Sequence, residues 1–255
     1  MEESLPIRPI RPIRPILPIR WPVDPATAPA ALAAPGQDDP VWYAAYGSNM
    51  HTERLACYLT GGRPADGARE YPGCRDGRPP RRSVPVRLPG SLYFALESRV
   101  WGGGMAFYDP HGPGTTPARA HLLTTGQFSD IAAQETGGGP GTDLDLGTVL
   151  RTGLDRQGPG RYRTLVCLGT LDGLPVLTFT APWTLAEAEL NAPRARYLRT
   201  IAAGLTDAHG WSTRRATVYL ATRPGAAGHW TVKSLQAALA PHSGGFASAT
   251  GSGRD

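Results

Sequence analysis

The sequence predicts an α+β fold with a mixed or partly closed sheet. Two patterns support this prediction: runs typical of strands dominate the middle of the chain, and runs typical of amphipathic helices dominate its end. The 32 glycines and 26 prolines also require many loops between these elements. At 255 residues, the chain is long enough to bury a substantial core.

Residues 1–40 and 242–255 are predicted to lie outside the folded domain, which then spans 41–241. The first segment repeats Pro-Ile-Arg with a period of three from Pro6, a spacing that matches polyproline II. It could be a ligand for an aromatic groove, but a disordered tail or a misplaced start of translation is favoured, with a linker before the domain. The last segment is rich in glycine and serine, which predicts disorder.

Composition argues against several classes of protein. No apolar run reaches the roughly 18 residues of a membrane span, and the N-terminus has no continuous apolar segment typical of a signal peptide. The odd number of widely spaced cysteines (Cys57, Cys74 and Cys167) predicts a reduced, cytoplasmic setting. The net charge is +5, but no basic helix carries interleaved aromatic residues, so no nucleic-acid partner is expected.

The stretch Val41–Met50 is the most informative in the chain. A strand is predicted up to Tyr46, and Gly47, Ser48 and Asn49 then lead into a helix. Free N–H groups and the positive helix end at such a turn can hold an anion or a carboxylate. The alternative is an ordinary turn in which Ser48 or Asn49 caps the helix, and the residues alone favour that alternative.

The segment after this turn is predicted to be a helix over 51–60, because Leu55, Tyr58 and Leu59 share one face and two glycines follow. Residues 61–90 are rich in proline, glycine and arginine, which predicts a long irregular loop with one strand near its end, at Ser83–Leu88. Its arginines could attract an anionic substrate, although a solvated surface is favoured.

Local patterns define the remaining elements. Strands are predicted at Ser91–Glu97, Gly104–Asp109 and Ala118–Thr125, a short helix at Gln127–Glu135, and a hairpin at Arg163–Thr170 and Leu174–Thr180 around the turn pair Asp172-Gly173. Three further helices are predicted from Pro193 to Gly210, over 213–222 and over 232–239.

Glu135 is the acidic residue best suited to catalysis. It lies in the last turn of the predicted helix, where the negative end of the dipole raises a carboxyl pKa, and no cation neighbours it in sequence. A raised pKa suits a general base that exchanges protons with an amine. An exposed glutamate at a helix end is the alternative, and position alone favours it. Glu97, at a strand end, is a second candidate for which a structural use is favoured.

No metal or cofactor site is predicted. The six histidines form no His-x-His or His-Glu-x-x-His pair, and Asp109-Pro110-His111 is more typical of a turn than of a zinc site. The sequence also contains no Walker loop and no Gly-x-Ser-x-Gly nucleophile motif.

The stretch Tyr43–Met50 resembles the opening signature of the γ-glutamylcyclotransferase-like superfamily. Glu135, followed two residues later by Gly137, is similar to the catalytic glutamate that comes next in that family, although Thr136 intervenes. Pro193 and Tyr197 resemble a later segment, with Ala195 and Arg196 as departures. The resemblance covers roughly residues 41–210.

This resemblance implies a small mixed, partly closed β-barrel with flanking helices. It implies that Glu135 is catalytic and that the loop amides hold the carboxyl and carbonyl oxygens of a γ-glutamyl group. The α-amine of this small-molecule substrate would attack its own γ-carbonyl, which releases 5-oxoproline and a free amine without a cofactor. The implied substrate-binding residues are Tyr46, Gly47, Ser48, Asn49 and Met50.

Two other functions stay open. An acyl-amide hydrolase or deacetylase would release an acid without a cyclised product, and a non-catalytic protein of the same fold would bind a small ligand without turnover. The arginine-rich segment 61–90 and the glycine-rich stretch after Glu135 are expected to border the pocket, so the resemblance does not identify the substrate.

Overall fold

A strand buried from Val41 onward, β1 (Pro40–Ala45), lies inside the main sheet of the computed structural model. The structure describes residues 36–64 and 69–240. The other strands are β2 (Arg82–Pro89), β3 (Ser91–Ala95), β4 (Met105–Asp109), β5 (Thr115–Thr124), β6 (Leu154–Arg156), β7 (Thr164–Leu171) and β8 (Leu174–Thr180). The two predicted tails lie outside the described residues, except for 36–40.

The helices flank these strands. They are α1 (Thr52–Thr60), α2 (Thr125–Glu135), α3 (Gly147–Thr152), α4 (Ala195–His209), α5 (Thr213–Ala221) and α6 (Val232–Leu239), with short 3-10 helices at Ser48–Met50 and Leu185–Glu187. Within 36–64 and 69–240, no helix has the length and apolar character that crossing a bilayer requires.

The main sheet has six strands in the order β2-β5-β1-β8-β7-β6. It is mixed, because β1 pairs antiparallel with β5 and parallel with β8. The α+β class and the mixed sheet with flanking helices are therefore confirmed. The sheet does not close into a barrel: among the described strands, its edges β2 and β6 pair with only one neighbour each, and β6 is only three residues long.

Strands β3 and β4 form a separate, two-stranded sheet. The Thr180 hydroxyl of β8 accepts a hydrogen bond from the Tyr108 N–H at 3.0 Å and donates one to the Tyr108 carbonyl at 2.7 Å. The Thr180 side chain thus links β4 to β8 at a point where no backbone ladder joins them. It also gives hydrogen-bond partners to the N–H and C=O groups of Tyr108, which buried backbone groups need.

Local chemistry explains most element boundaries. Asp172 and Gly173 have φ values of 53° and 79°, as the predicted type I′ hairpin turn requires. Helix α2 starts with a capping box in which Thr124 and Gln127 bond each other's backbone N–H groups. Helix α4 follows Pro193 and ends at Gly210, whose left-handed backbone conformation terminates it. The short elements α3 and β6 were not predicted.

Helix α4 packs directly on the loop that follows β1. A Cβ atom at Gly204 would lie 2.6 Å from the Met50 Cβ and 2.9 Å from the His51 nitrogen. Met50 itself is 1% exposed. Glycine is therefore required for the helix to approach this loop closely.

We expect Gly204→Ala to destabilise the protein, although alanine is the better helix former by about 1 kcal/mol. The new methyl group would collide with loop backbone, and such overpacking costs about 1–3 kcal/mol. Urea unfolding would measure the change in the free energy of unfolding. A stabilised variant would contradict the close packing of α4 on the loop.

Candidate functional site

A cavity of about 420 Å³ opens where the loop after β1, helix α1 and the end of α2 meet. Its lining includes five of the six residues that the sequence analysis selected: Tyr46, Gly47, Ser48, Asn49 and Glu135. The sixth, Met50, is absent from the lining and is buried beneath α4. The cavity thus brings together a loop and a helix end that are far apart in sequence.

The loop does not use its polar side chains as helix caps. Neither the 3-10 helix at Ser48–Met50 nor α1 has a side-chain cap hydrogen bond. Instead, the Asn49 side-chain nitrogen donates to Glu135 Oε1 at 2.9 Å and to the Tyr43 hydroxyl oxygen at 3.3 Å. The alternative in which Ser48 or Asn49 only caps the following helix is therefore wrong for this loop.

Gly47 has a φ of −108°, so it is not needed for a left-handed backbone conformation. A Cβ atom there would lie 3.4 Å from the Tyr197 hydroxyl and 3.5 Å from the Ala106 Cβ. A larger side chain would extend into the narrow space between these groups. Both distances are ordinary van der Waals contacts, so packing leaves room for a Cβ atom at this position.

The Glu135 carboxylate is half-buried and lies at the end of α2. Removal from bulk water raises its pKa above the ordinary value of 4.5, whereas Tyr58, Arg54 and Asn49 favour the charged form and limit the increase. Its sequence neighbours include no cation. However, folding brings Arg54 from α1 near enough to stabilise the charge.

Arg54 is a site residue that the sequence analysis missed. It is 3% exposed, and its guanidinium carbon lies 4.6 Å from the centre of the Tyr71 ring, 5.4 Å from that of Tyr58 and 5.2 Å from that of Trp101. Its Nη2 donates to the Tyr71 hydroxyl. Spacing could have revealed it, because Arg54 stands four residues before Tyr58 on the same helix face.

Burial opposes the charge on Arg54 and by itself would lower its pKa. The aromatic hydroxyls of Tyr58 and Tyr71, together with the Glu135 carboxylate, outweigh that effect and raise the pKa of Arg54 above its ordinary value. Arg54 therefore stays charged beside the cavity, in a ring cage that stabilises cations.

A buried histidine fixes the backbone of the loop. His121 of β5 is 0% exposed; its Nε2 lies 3.2 Å from the Asn49 carbonyl oxygen and its Nδ1 lies 2.8 Å from the Ser83 hydroxyl. A carbonyl can only accept, so Nε2 carries the proton and Nδ1 accepts from Ser83. Burial lowers the pKa of His121 to about 3, and the ring therefore stays neutral in this role at physiological pH.

Aromatic side chains also line the cavity, and several of their hydroxyls form hydrogen bonds with backbone groups. Tyr46 donates to the Phe179 carbonyl, Tyr162 donates to the Ala106 carbonyl, and the Tyr197 hydroxyl accepts from the Ala106 N–H. Burial raises the pKa of each of these three tyrosines, so all remain neutral. Among the described residues of this lining, Glu135 supplies the carboxyl group, and burial raises its pKa.

Over 36–64 and 69–240, no group of three or more His, Cys, Asp or Glu side chains has an arrangement that could hold a metal ion. Asp109 and His111 are instead joined in a turn, in which Asp109 accepts from the His111 N–H at 2.9 Å. Glu97, the second acidic candidate, is exposed, accepts from the Gly103 N–H at 3.3 Å, and is absent from the cavity lining.

Comparison of the sequence with known proteins found a curated relative. No family model matches the chain. Histone deacetylase 5 of Arabidopsis thaliana is 32% identical over 203 residues, or 71% of this chain. The chain spans only 30% of the length of that relative.

Comparison of the fold found similar solved structures. An uncharacterised protein from Homo sapiens is 17% identical, with a TM-score of 0.43, and covers 78% of this chain and 98% of its own. A γ-glutamyl cyclotransferase is 16% identical, with a TM-score of 0.44, and covers 79% of this chain and 98% of its own. YkqA from Bacillus subtilis is 17% identical, with a TM-score of 0.41, and covers 73% of this chain and 56% of its own.

We expect His121→Phe to destabilise the protein by about 1–3 kcal/mol, the usual cost of leaving buried hydrogen-bonding groups unpaired. The phenyl ring would fill the space but would form no hydrogen bond with the Asn49 carbonyl or the Ser83 hydroxyl. Ser83→Ala is the matched control, because it keeps the bond to Asn49 and should cost less. If urea unfolding showed the same loss of unfolding free energy for both variants, the role of His121 in supporting the loop would be contradicted.

We expect Glu135→Gln to raise the Tm at neutral pH. Because its pKa is raised, Glu135 binds its proton more tightly in the folded state than in the unfolded state. The free energy of unfolding therefore falls as pH rises through the range between the unfolded and the folded pKa of Glu135. Glutamine keeps an oxygen for the Asn49 amide but removes that cost. Thermal unfolding from about pH 4 to about pH 8 should show a gain that disappears at the acid end. A gain that grows on acidification would contradict the direction of the shift.

Proposed function

We propose that this chain is a cyclotransferase that acts on a γ-glutamyl amine, peptide or related conjugate and releases 5-oxoproline and a free amine. The observation that carries the proposal is the contact between Asn49 and Glu135, which joins the loop after β1 to a carboxylate of raised pKa beside one cavity. The resemblance of Tyr43–Met50 and Glu135 to the γ-glutamylcyclotransferase-like motifs supports the same reaction.

Glu135 supplies the proton transfers. The α-amine of the substrate must lose a proton before its nitrogen can attack the γ-carbonyl carbon. One carbon–nitrogen bond then forms, the original γ-amide bond breaks, and the leaving nitrogen gains the protons that the attacking nitrogen loses. A carboxylate with a raised pKa can accept and return each proton in turn.

The loop supplies donors for the carbonyl oxygen. The N–H groups of Ser48 and Asn49 belong to the first turn of a short helix, where no earlier carbonyl of the same helix can accept them. Negative charge that develops on the γ-carbonyl oxygen is stabilised by such fixed donors. The hydrogen bond from His121 to the Asn49 carbonyl holds this loop in place.

The cavity promotes cyclisation by shape. Attack within one molecule needs the glutamyl chain to be bent, and the aromatic walls of a cavity of about 420 Å³ can hold a small substrate in that conformation. Correct positioning in such intramolecular reactions is worth about 7–11 kcal/mol at most. Positioning, proton transfer and oxyanion stabilisation together account for the chemistry with this chain's own residues.

A deacetylase or other acyl-amide hydrolase is the second candidate. The observation that favours it is the name of the Arabidopsis thaliana relative, of whose length this chain spans 30%. In that reaction water, rather than an amine of the substrate, attacks the carbonyl, and the products are an acid and an amine. Release of acetate from acetylated peptides, without 5-oxoproline, would favour this function.

We expect Glu135→Gln to lower kcat/KM for 5-oxoproline release by about 10²–10⁴-fold, because an amide cannot accept the proton. Release would be measured over a panel of γ-glutamyl amines and peptides. The matched control is Glu97→Gln, the same change at an exposed acid outside the cavity, which should retain activity. A fully active Glu135→Gln variant would remove the proposed base, and a panel without any product would count against a cyclotransferase.

A further inference from the structure

Arg54 carries hydrogen-bonding capacity that the described part of the protein does not use. Its Nε and Nη1 atoms are buried and have no hydrogen-bond partner among the described residues, whereas Nη2 is bonded to Tyr71. A buried cation with unpaired donors is costly, and such groups are normally paired with an anion. Arg54, despite this cost, is part of the lining of the cavity.

Among the described residues that line the cavity, positive charges outnumber negative ones. The described part of the lining contains Arg54, Arg69, Arg99 and Arg161, against one carboxylate, that of Glu135. Arg99 is exposed, whereas Arg69 and Arg161 are half-buried. A concave site lined by one sign of charge concentrates ligands of the opposite sign, so this cavity favours an anionic ligand.

We propose that Arg54 binds the α-carboxylate of the glutamyl group, a proposal that rests on the cyclotransferase function above. Nε and Nη1 lie on different edges of the guanidinium, so one of them donates to the carboxylate, in a charge-assisted hydrogen bond that is stronger than a neutral one. The loop at Gly47–Asn49 is then left to bind the γ-carbonyl oxygen. Helix α1 thus binds the α-carboxylate, and the loop binds the γ-carbonyl oxygen.

Substrate geometry supports this division. The α-carboxylate and the α-amine are attached to the same carbon, so an anchor for the carboxylate also places the amine. Arg54 and Glu135 are close enough to influence each other's charge. A carboxylate held by Arg54 therefore brings the α-amine towards Glu135, the group that must take its proton. Arg54 would thus select the substrate and also orient its nucleophile.

The test compares the binding of two ligands by calorimetry. The ligands are γ-glutamylalanine and the same compound with its glutamyl α-carboxylate converted to a carboxamide, and the Glu135→Gln background prevents turnover. We expect the carboxamide to bind about 10–100-fold more weakly to the protein that retains Arg54, as loss of a charge-assisted hydrogen bond predicts. In Glu135→Gln/Arg54→Gln, the ratio of the two Kd values should fall to about one.

The matched control is Arg99→Gln in the same background, which removes an exposed arginine of the same lining. This substitution should raise the Kd values of both ligands by similar factors and leave the ratio of the two Kd values unchanged. An unchanged ratio in the Arg54→Gln variant would overturn the assignment of Arg54. If the protein that retains Arg54 binds neither ligand, the γ-glutamyl function itself fails, and that result is distinct from the first.

Circular dichroism would establish whether the Arg54→Gln variant folds. If it does not, the Nε–H resonance of Arg54 in ¹⁵N-labelled Glu135→Gln protein replaces the variant as the readout. A shift of this resonance on addition of γ-glutamylalanine, and none with the carboxamide, would support the proposal. An equal response to both ligands would overturn it.

Discussion

The hydrogen bond from the Asn49 amide to the Glu135 carboxylate is the interaction on which the site depends. It spans 2.9 Å and joins residues 86 positions apart, so the loop after β1 and the end of α2 must both be in place for it to form. The loop is held from behind by the close approach of α4 at Gly204 and by the hydrogen bond from His121. Both supports come from regular elements, helix α4 and strand β5, which position a site more precisely than loops do.

A half-buried carboxylate, Glu135, and a buried guanidinium, Arg54, carry opposite charges in the lining of the cavity. Burial raises the pKa of Glu135, and the nearby Arg54 limits that increase without cancelling it. Arg54 in turn remains charged because aromatic rings and hydroxyls surround it. The cavity therefore combines a carboxylate of raised pKa with a cation whose Nε and Nη1 atoms have no hydrogen-bond partner among the described residues.

The sequence was sufficient to predict most of the secondary structure, because the signals are local. The turn pair Asp172-Gly173 and the stop at Gly210 each depend on a few neighbouring residues. The elements α3 and β6 lacked such signals, since they have only six and three residues. The open edges of the sheet also depend on pairing between distant segments, which no local pattern reports.

The sequence by itself determined which chemical groups are available at the site: the donors of the loop at Gly47–Asn49, the carboxyl group of Glu135, and its place at the negative end of a helix. Only the tertiary structure decided how these groups are used. It directed Asn49 to Glu135 instead of to a helix cap, moved Met50 out of the lining, and brought Arg54 to the cavity. The physical reason is that burial and charge pairing depend on contacts between residues far apart in sequence, whereas caps, turns and helix dipoles depend on neighbours.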